Sequence, residues 1–216
     1  TDTKLKDEMN QPSIVEKLML NRINMFLIVG LMTLATASFA KPKRVVTLGA
    51  GVTETVFALG LGDVVVGVDV SSLHPADAVR KPKVGYIRMT SAEGIASLTP
   101  DLVLAGSTLG PATVKTQLKS AGIRLELVDK PKNISGALER IKKIGELLDK
   151  KEMAAQLINT INEKIESAKK HQKADIKKRV LFVFVHGGTS VNVSGKNTAA
   201  DVMIKLAGAE NAVQAY

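Results

Sequence analysis

The chain contains no cysteine and no tryptophan, and only two of its 216 residues are tyrosine. Without cysteine there is no disulfide, no thiol nucleophile and no lipid attached through a cysteine, so the fold relies on core burial. Nor is there a G-x-S-x-G stretch, so "HGGTS" (186–190), which has the look of an esterase oxyanion loop, lacks a nucleophile elbow. Glu54 stands where the third glycine of a dinucleotide fingerprint would fall in "GAGVTE" (49–54), and a carboxylate there repels pyrophosphate. Aromatic residues make up 3% of the chain, and the basic run "KKHQKADIKKR" has none interleaved. That run reads as a solvated helix end rather than a nucleic-acid surface.

Apolar residues make up 45% of the chain, enough for one sizeable core or two small lobes, and the net charge is +9. The charge favours anionic partners without choosing among them. Lys17 and Arg22 precede an apolar run from Met25 to about Ala37, and small Ser38 and Ala40 follow. That order is the pattern of a cleavable export signal ending at Ala40, with Met19 as initiator and residues 1–18 as an upstream extension. The apolar run is short for a membrane span, and a retained signal anchor is the alternative. The whole excess of +9 stays with residues 41–216, since 1–40 hold four basic and four acidic side chains. A free protein in a bacterial periplasm is the expectation.

From Lys41 onward short apolar runs alternate with short helical patterns. "RVVTLGA" (44–50), "DVVVGVDV" (63–70), "DLVLAG" (101–106) and "RLELVD" (124–129) read as strands. "VTETVFALGL", "TSAEGIASL" and "ATVKTQLKSAG" read as the helices between them, and 71–89 as a long loop with an extended end. Such alternation predicts βαβ units on a mostly parallel sheet, with ligands beyond the carboxyl ends of the strands. Apolar residues at helical spacing from Ile134 to Ile165 predict one long helix over 133–172, a strut between lobes, with a coiled coil as the alternative. "KKRVLFVFVHGG" then restarts the pattern as a buried strand, and "NTAADVMIKLAG" as a helix capped by Asn197. The expected organisation is an extension and signal (1–40), an N-terminal αβ lobe (41–132), a linking helix (133–172) and a partial C-terminal αβ lobe (173–216), the second lobe truncated.

Four side chains stand out chemically. In an extended segment Tyr86 and Arg88 point to the same side and would face one ligand. A phenolate is a hard anionic donor suited to ferric iron, and a guanidinium beside it favours ionisation. The alternative is a half-buried strand tyrosine beside a solvent-facing arginine. Glu93 completes a capping box with Thr90 as N-cap. His186 ends a strand before two glycines, as an iron ligand or as a plain strand-end residue. His74 and His171 read as surface residues.

Together "RVVTLGAGVTETVFALGLGDVVVGVD", "KVGYIRMTSAEGIASLTPDLVLA" and "VLFVFVHGGTSVNVSGKNTAADVMIKLAGAENAV" resemble the haem-binding periplasmic components of bacterial ABC haem importers. These fall within a larger group that binds cobalamin and siderophores. The resemblance implies an α/β fold of two Rossmann-like lobes joined by a long rigid helix, and capture of ferric haemin rather than catalysis. It implies Tyr86 as axial tyrosinate, Arg88 as its basic companion and His186 as a second iron ligand or haem contact. Glu93 takes the role of the carboxylate that docks on the inner-membrane permease, which works with its ATPase. An outer-membrane haem receptor would be an indirect partner, and nucleic acid none. The alternatives are the same scaffold binding a ferric siderophore or cobalamin, and a secreted hydrolase.

Overall fold

The structure, a computed structural model, describes residues 41–170, 178–186, 188 and 190–215. The signal expected over 1–40 and the last two residues of the expected linking helix lie outside the described residues. In chain order the strands are β1 (Val45–Leu48), β2 (Val65–Val68), β3 (Gly85–Tyr86), β4 (Met89–Thr90), β5 (Leu102–Gly106), β6 (Arg124–Val128), β7 (Arg179–Val180), β8 (Val183–His186), β9 (Ser190–Val193) and β10 (Glu210–Asn211). The helices are α1 (Ala50–Ala58), α2 (Ala76–Val79), α3 (Ala92–Ala96), α4 (Ala112–Ser120), α5 (Ile134–Leu147), α6 (Lys151–Lys170) and α7 (Ala199–Leu206).

The four expected strands form one parallel sheet in the order β2-β1-β5-β6. Side chains alternate across it with period two. Val45, Leu102 and Leu104 face α1 and α5, whereas Val46, Leu48, Val103 and Ala105 face α3 and α4. Both faces are therefore dry, which is why the strands read as continuous apolar runs. Each fully buried valine or leucine contributes about 1.5–3 kcal/mol. The strand order reverses between β1 and β5. That is a topological switch point, where the connections leave β1 and β5 on opposite faces and open a crevice at the carboxyl ends.

The single helix expected over 133–172 is two helices. It breaks at Leu148–Lys150, where Asp149 adopts φ 55° and the Lys150 N–H turns back to Gly145 O at 2.7 Å. The apolar stripe slips phase at this point, from Ile141, Ile144 and Leu148 to Ala154. A straight helix could not keep both groups on the core. Gly145 allows the two helices to meet closely, since a Cβ there would stand 2.4 Å from Ala154 Cβ. Helix α5 thus packs on the sheet through Ile141 and Ile144, and the first half of α6 joins the same core through Ala154, Leu157, Ile158 and Ile161.

The buried strand expected within 177–188 is also corrected. It is divided into β7, which pairs with β10, and β8, which among the described residues pairs with β9 alone. Phe182, Val183, Phe184 and Val185 are exposed, because a two-stranded ribbon buries neither of its faces by itself. The N-cap of α7 is Thr198 rather than Asn197: its Oγ1 accepts from Asp201 N, while Asn197 takes φ 58° in the preceding turn.

Candidate functional site

The expected loop 71–89 contains a short helix and a hairpin, and the hairpin carries Tyr86. Residues 82–84 run beside the end of β2: Val68 N donates to Pro82 O at 2.9 Å, and Val84 N to Val68 O at 3.0 Å. Val70 N then donates to Gly85 O at 2.9 Å. Gly85 holds φ 98°, a conformation L residues rarely adopt, and there the chain turns into the β3–β4 hairpin. Tyr86 pairs across it with Met89. The two-residue turn is Ile87 and Arg88.

Ile87 explains the hairpin's position. It is 7% exposed and lies over both glycines at the switch point: a Cβ at Gly49 would be 3.3 Å from Ile87 Cδ1, and one at Gly106 3.4 Å. Gly49 ends β1 and Gly106 ends β5, so the isoleucine fills the crevice. Two more bonds tie the hairpin down, from Gly110 N to Ile87 O at 3.0 Å and from Thr90 N to Gly110 O at 3.2 Å. The side chain that sequence alternation places opposite to Tyr86 is the one that goes inward.

Tyr86 is 43% exposed, and its hydroxyl has no hydrogen-bond partner among the described residues. Met89 is 79% exposed, and Val70 and Leu73 are also open. A phenol with a free oxygen therefore stands on an apolar rim at the carboxyl end of the sheet. Such a rim suits a flat apolar ligand with an electrophilic centre. Arg88 does not share a continuous strand face with Tyr86, because the alternation stops at the hairpin turn. It sits at the tip, exposed, with no ion pair among the described residues.

The capping box at Glu93 does not form. Ser91 is the N-cap of α3, accepting from Gly94 N at 3.0 Å. Thr90 is buried and donates its hydroxyl to Val84 O, drawn inward by its pairing in β4. Glu93 is exposed in the first turn and borders a cavity of about 500 Å³ between α3 and α4. His186 pairs with Ser190 at the end of β8, and its side chain lies outside the described residues. The structure thus brings Tyr86, Met89 and Arg88 together on one hairpin and puts Glu93 just beyond it.

Two features were missed by sequence reasoning. Asp69, fully buried just past β2, accepts from Gly49 N at 2.9 Å, from Ser72 Oγ at 2.6 Å, and from the hydroxyl of Ser71. Ser72 Oγ also meets Thr53 Oγ1 at 2.8 Å, which meets Thr47 Oγ1 at 2.8 Å. This chain of small polar groups fixes the loop that bonds to Gly85. Its signal was "VDVSS", a carboxylate and two serines at a strand's carboxyl end. The other feature is Arg140, half-buried on α5 between Ala137 and Ile144, on the apolar stripe where a charge is out of place. Burial holds its pKa below the ordinary arginine value, with Glu54 opposing.

The model of the periplasmic binding protein family matches residues 45–216. An ABC transporter substrate-binding lipoprotein of Bacillus subtilis, YvrC, is 32% identical over 80% of the chain, which covers 56% of that protein. The vitamin B12-binding protein of Pectobacterium atrosepticum is 30% identical over 82% of the chain, covering 64% of its length. Among solved structures, the periplasmic heme-binding protein BhuT in complex with two hemes superposes with a TM-score of 0.74 at 38% identity, over 81% of this chain and 68% of that one. The chain therefore spans less than two thirds of the curated relatives it matches.

Proposed function

Because the chain belongs to the periplasmic binding protein family, we propose that it captures ferric haem in the periplasm and presents it to an ABC permease of the inner membrane. The observation that carries this reading is the free Tyr86 hydroxyl, held out on an apolar rim by a hairpin whose neighbouring side chain is locked in the switch-point crevice. The kinship with a heme-binding protein at 38% identity supports the same ligand. Tyrosinate is a hard anionic donor matched to trivalent iron, and no covalent step is required. Capture, not catalysis, is the task.

In this reading Met89, Val70 and Leu73 cover part of the porphyrin face. Arg88 stabilises the phenolate or meets the ligand edge, and His186 supplies a second contact from the C-terminal part. Glu93 is the docking carboxylate. Export by the 1–40 signal and the net +9 charge serve the same end, the charge by favouring encounter with an anionic ligand. Cobalamin is the second reading, favoured by the vitamin B12-binding relative.

Titration of the chain with haemin and with cyanocobalamin tests the choice. Haemin is expected to bind with a shifted Soret band and a tyrosinate charge-transfer band, and Tyr86→Phe to remove that charge-transfer band. Tight cyanocobalamin binding without a haemin response would overturn the haem assignment in favour of the corrinoid.

A further inference from the structure

Met89 is the most exposed large apolar side chain among the described residues, at 79%. Its direction is fixed from beneath. The next residue, Thr90, is buried and donates its hydroxyl to Val84 O, so the alternation of β4 turns Met89 outward. Met89 pairs across the hairpin with Tyr86. Paired residues of antiparallel strands stand on one face, their Cβ atoms about 4.5–5.5 Å apart. The thioether and the phenol thus rise from one surface, with Val70 and Leu73 open on the loop that bonds to Gly85.

A single exposed methionine is ordinary, and Met203, 64% exposed on α7, is of that kind. Met89 differs in what stands opposite to it. A flat ligand held through the Tyr86 oxygen must lie across Met89 as well, because the two side chains leave the hairpin at directly opposed positions. Its sulfur is open to water here and would be covered by that ligand. The chain has no cysteine to compete for an oxidant, so exposed thioethers are its softest oxidisable groups.

We propose that Met89 is a peroxide-sensitive modification site whose oxidation weakens ligand capture. The sulfur attacks one oxygen of hydrogen peroxide, an S–O bond forms and the O–O bond breaks. The proton on the transferred oxygen passes to the departing hydroxide, which leaves as water. The sulfur is oxidised by two electrons to the sulfoxide, and the peroxide is reduced. A polar S=O group then stands where the apolar face of the tetrapyrrole has to lie, and covering it strips away its water. The inference rests on the haem reading and adds regulation to the same hairpin.

The test treats the whole chain with hydrogen peroxide, removes the peroxide by gel filtration and titrates haemin. Peptide mass spectrometry reads the sulfoxide at each methionine. The wild type is expected to be oxidised at Met89 and Met203 and to bind haemin about tenfold more weakly, the scale of one polar group covered without a partner. Methionine sulfoxide reductases of both stereochemical types should restore the affinity. Met89→Leu, which cannot take the oxygen, should bind equally before and after peroxide, whereas Met203→Leu should lose affinity as the wild type does. Loading beforehand with gallium(III) protoporphyrin IX, trivalent but not redox-active, should protect Met89 and leave Met203 oxidised.

A chain fully oxidised at Met89 that binds haemin as before would overturn the inference and leave haem capture intact. So would a Met89→Leu variant that loses as much as the wild type, or oxidation of Met89 undiminished beneath the gallium porphyrin. An untreated chain that takes up neither porphyrin would overturn the haem reading itself, and the inference with it.

Discussion

Ile87 Cδ1 rests over Gly49, 3.3 Å from where a Cβ would stand at the end of β1. The contact couples two features separated by 38 positions: the turn of the tyrosine hairpin and the first strand–helix junction of the sheet. Gly49 holds φ 104°, so it serves both the sharp entry to α1 and the space the isoleucine needs. The position of Tyr86 is thereby set by packing beneath the hairpin rather than by contacts of its own.

Ile87→Ala tests that coupling. Removing a buried isoleucine side chain is expected to cost about 2–5 kcal/mol of unfolding free energy. Haemin affinity should fall as well, although Tyr86 remains. Met89→Ala, on the same hairpin but exposed, should change stability by no more than about 0.5 kcal/mol. Urea denaturation of both variants beside the wild type gives the comparison. Equal stabilities for Ile87→Ala and wild type would remove the isoleucine from its assigned role.

The sheet was legible because its strands are buried on both faces, and continuous β-branched runs record that directly. Tyr86 stood out by rarity. What local periodicity could not supply was direction. The alternation placing Arg88 beside Tyr86 assumed a strand that continues, but Gly85 and the crevice beneath Ile87 turn it into a hairpin. The capping box failed for a related reason: Thr90 is claimed by β4 and the core, so the cap moves to Ser91. The helix over 133–172 misled because its apolar spacing is helical on both sides of Asp149, and only the phase slip at Leu148 marks the break. For Asp69 and Arg140 only the odd placement was visible, a carboxylate before two serines and a charge on an apolar stripe, since the bond to Gly49 and the contact with Gly51 join positions twenty or more apart.

Asp69→Ala should destabilise the fold by about 3 kcal/mol, because the carboxylate accepts from two backbone amides and two hydroxyls that would lose their acceptor. The loop carrying Val70 is then released from β1, and with it the bond to Gly85. Thermal unfolding and haemin titration are expected to worsen together. A variant with normal affinity and normal melting would show that the network does not position the hairpin.

Tyr86→Phe should leave stability within about 0.5 kcal/mol of wild type, since the lost hydroxyl has no partner among the described residues and the ring keeps its packing. Its effect belongs to the ligand, through weaker haemin binding and loss of the charge-transfer band. Arg88→Gln, at the exposed turn tip, is expected to weaken haemin binding less than Tyr86→Phe and to keep the charge-transfer band. If Arg88→Gln abolished the band and Tyr86→Phe preserved it, the ligand assignment would pass from the phenol.

The C-terminal part carries a pH dependence of its own. Lys205 Nζ donates to Asp201 Oδ2 at 2.8 Å, and this bond holds the carboxyl below the ordinary aspartate range, helped by Asn197 N and the Asn211 amide. A carboxyl depressed on folding adds stability that is fully present above its unfolded pKa of about 3.9, and that stability disappears as pH falls through the lower folded value. Local protection around α7 should therefore drop on acidification. Amide exchange at Asn197, which donates to Asp201 Oδ2 at 3.0 Å, reads this directly, compared between about pH 6 and about pH 3. Lys205→Met removes the largest contributor, so protonation in the variant should begin at higher pH and the loss of protection shift upward with it. If wild type and variant lost protection over the same pH range, the lysine would not be what lowers the Asp201 pKa.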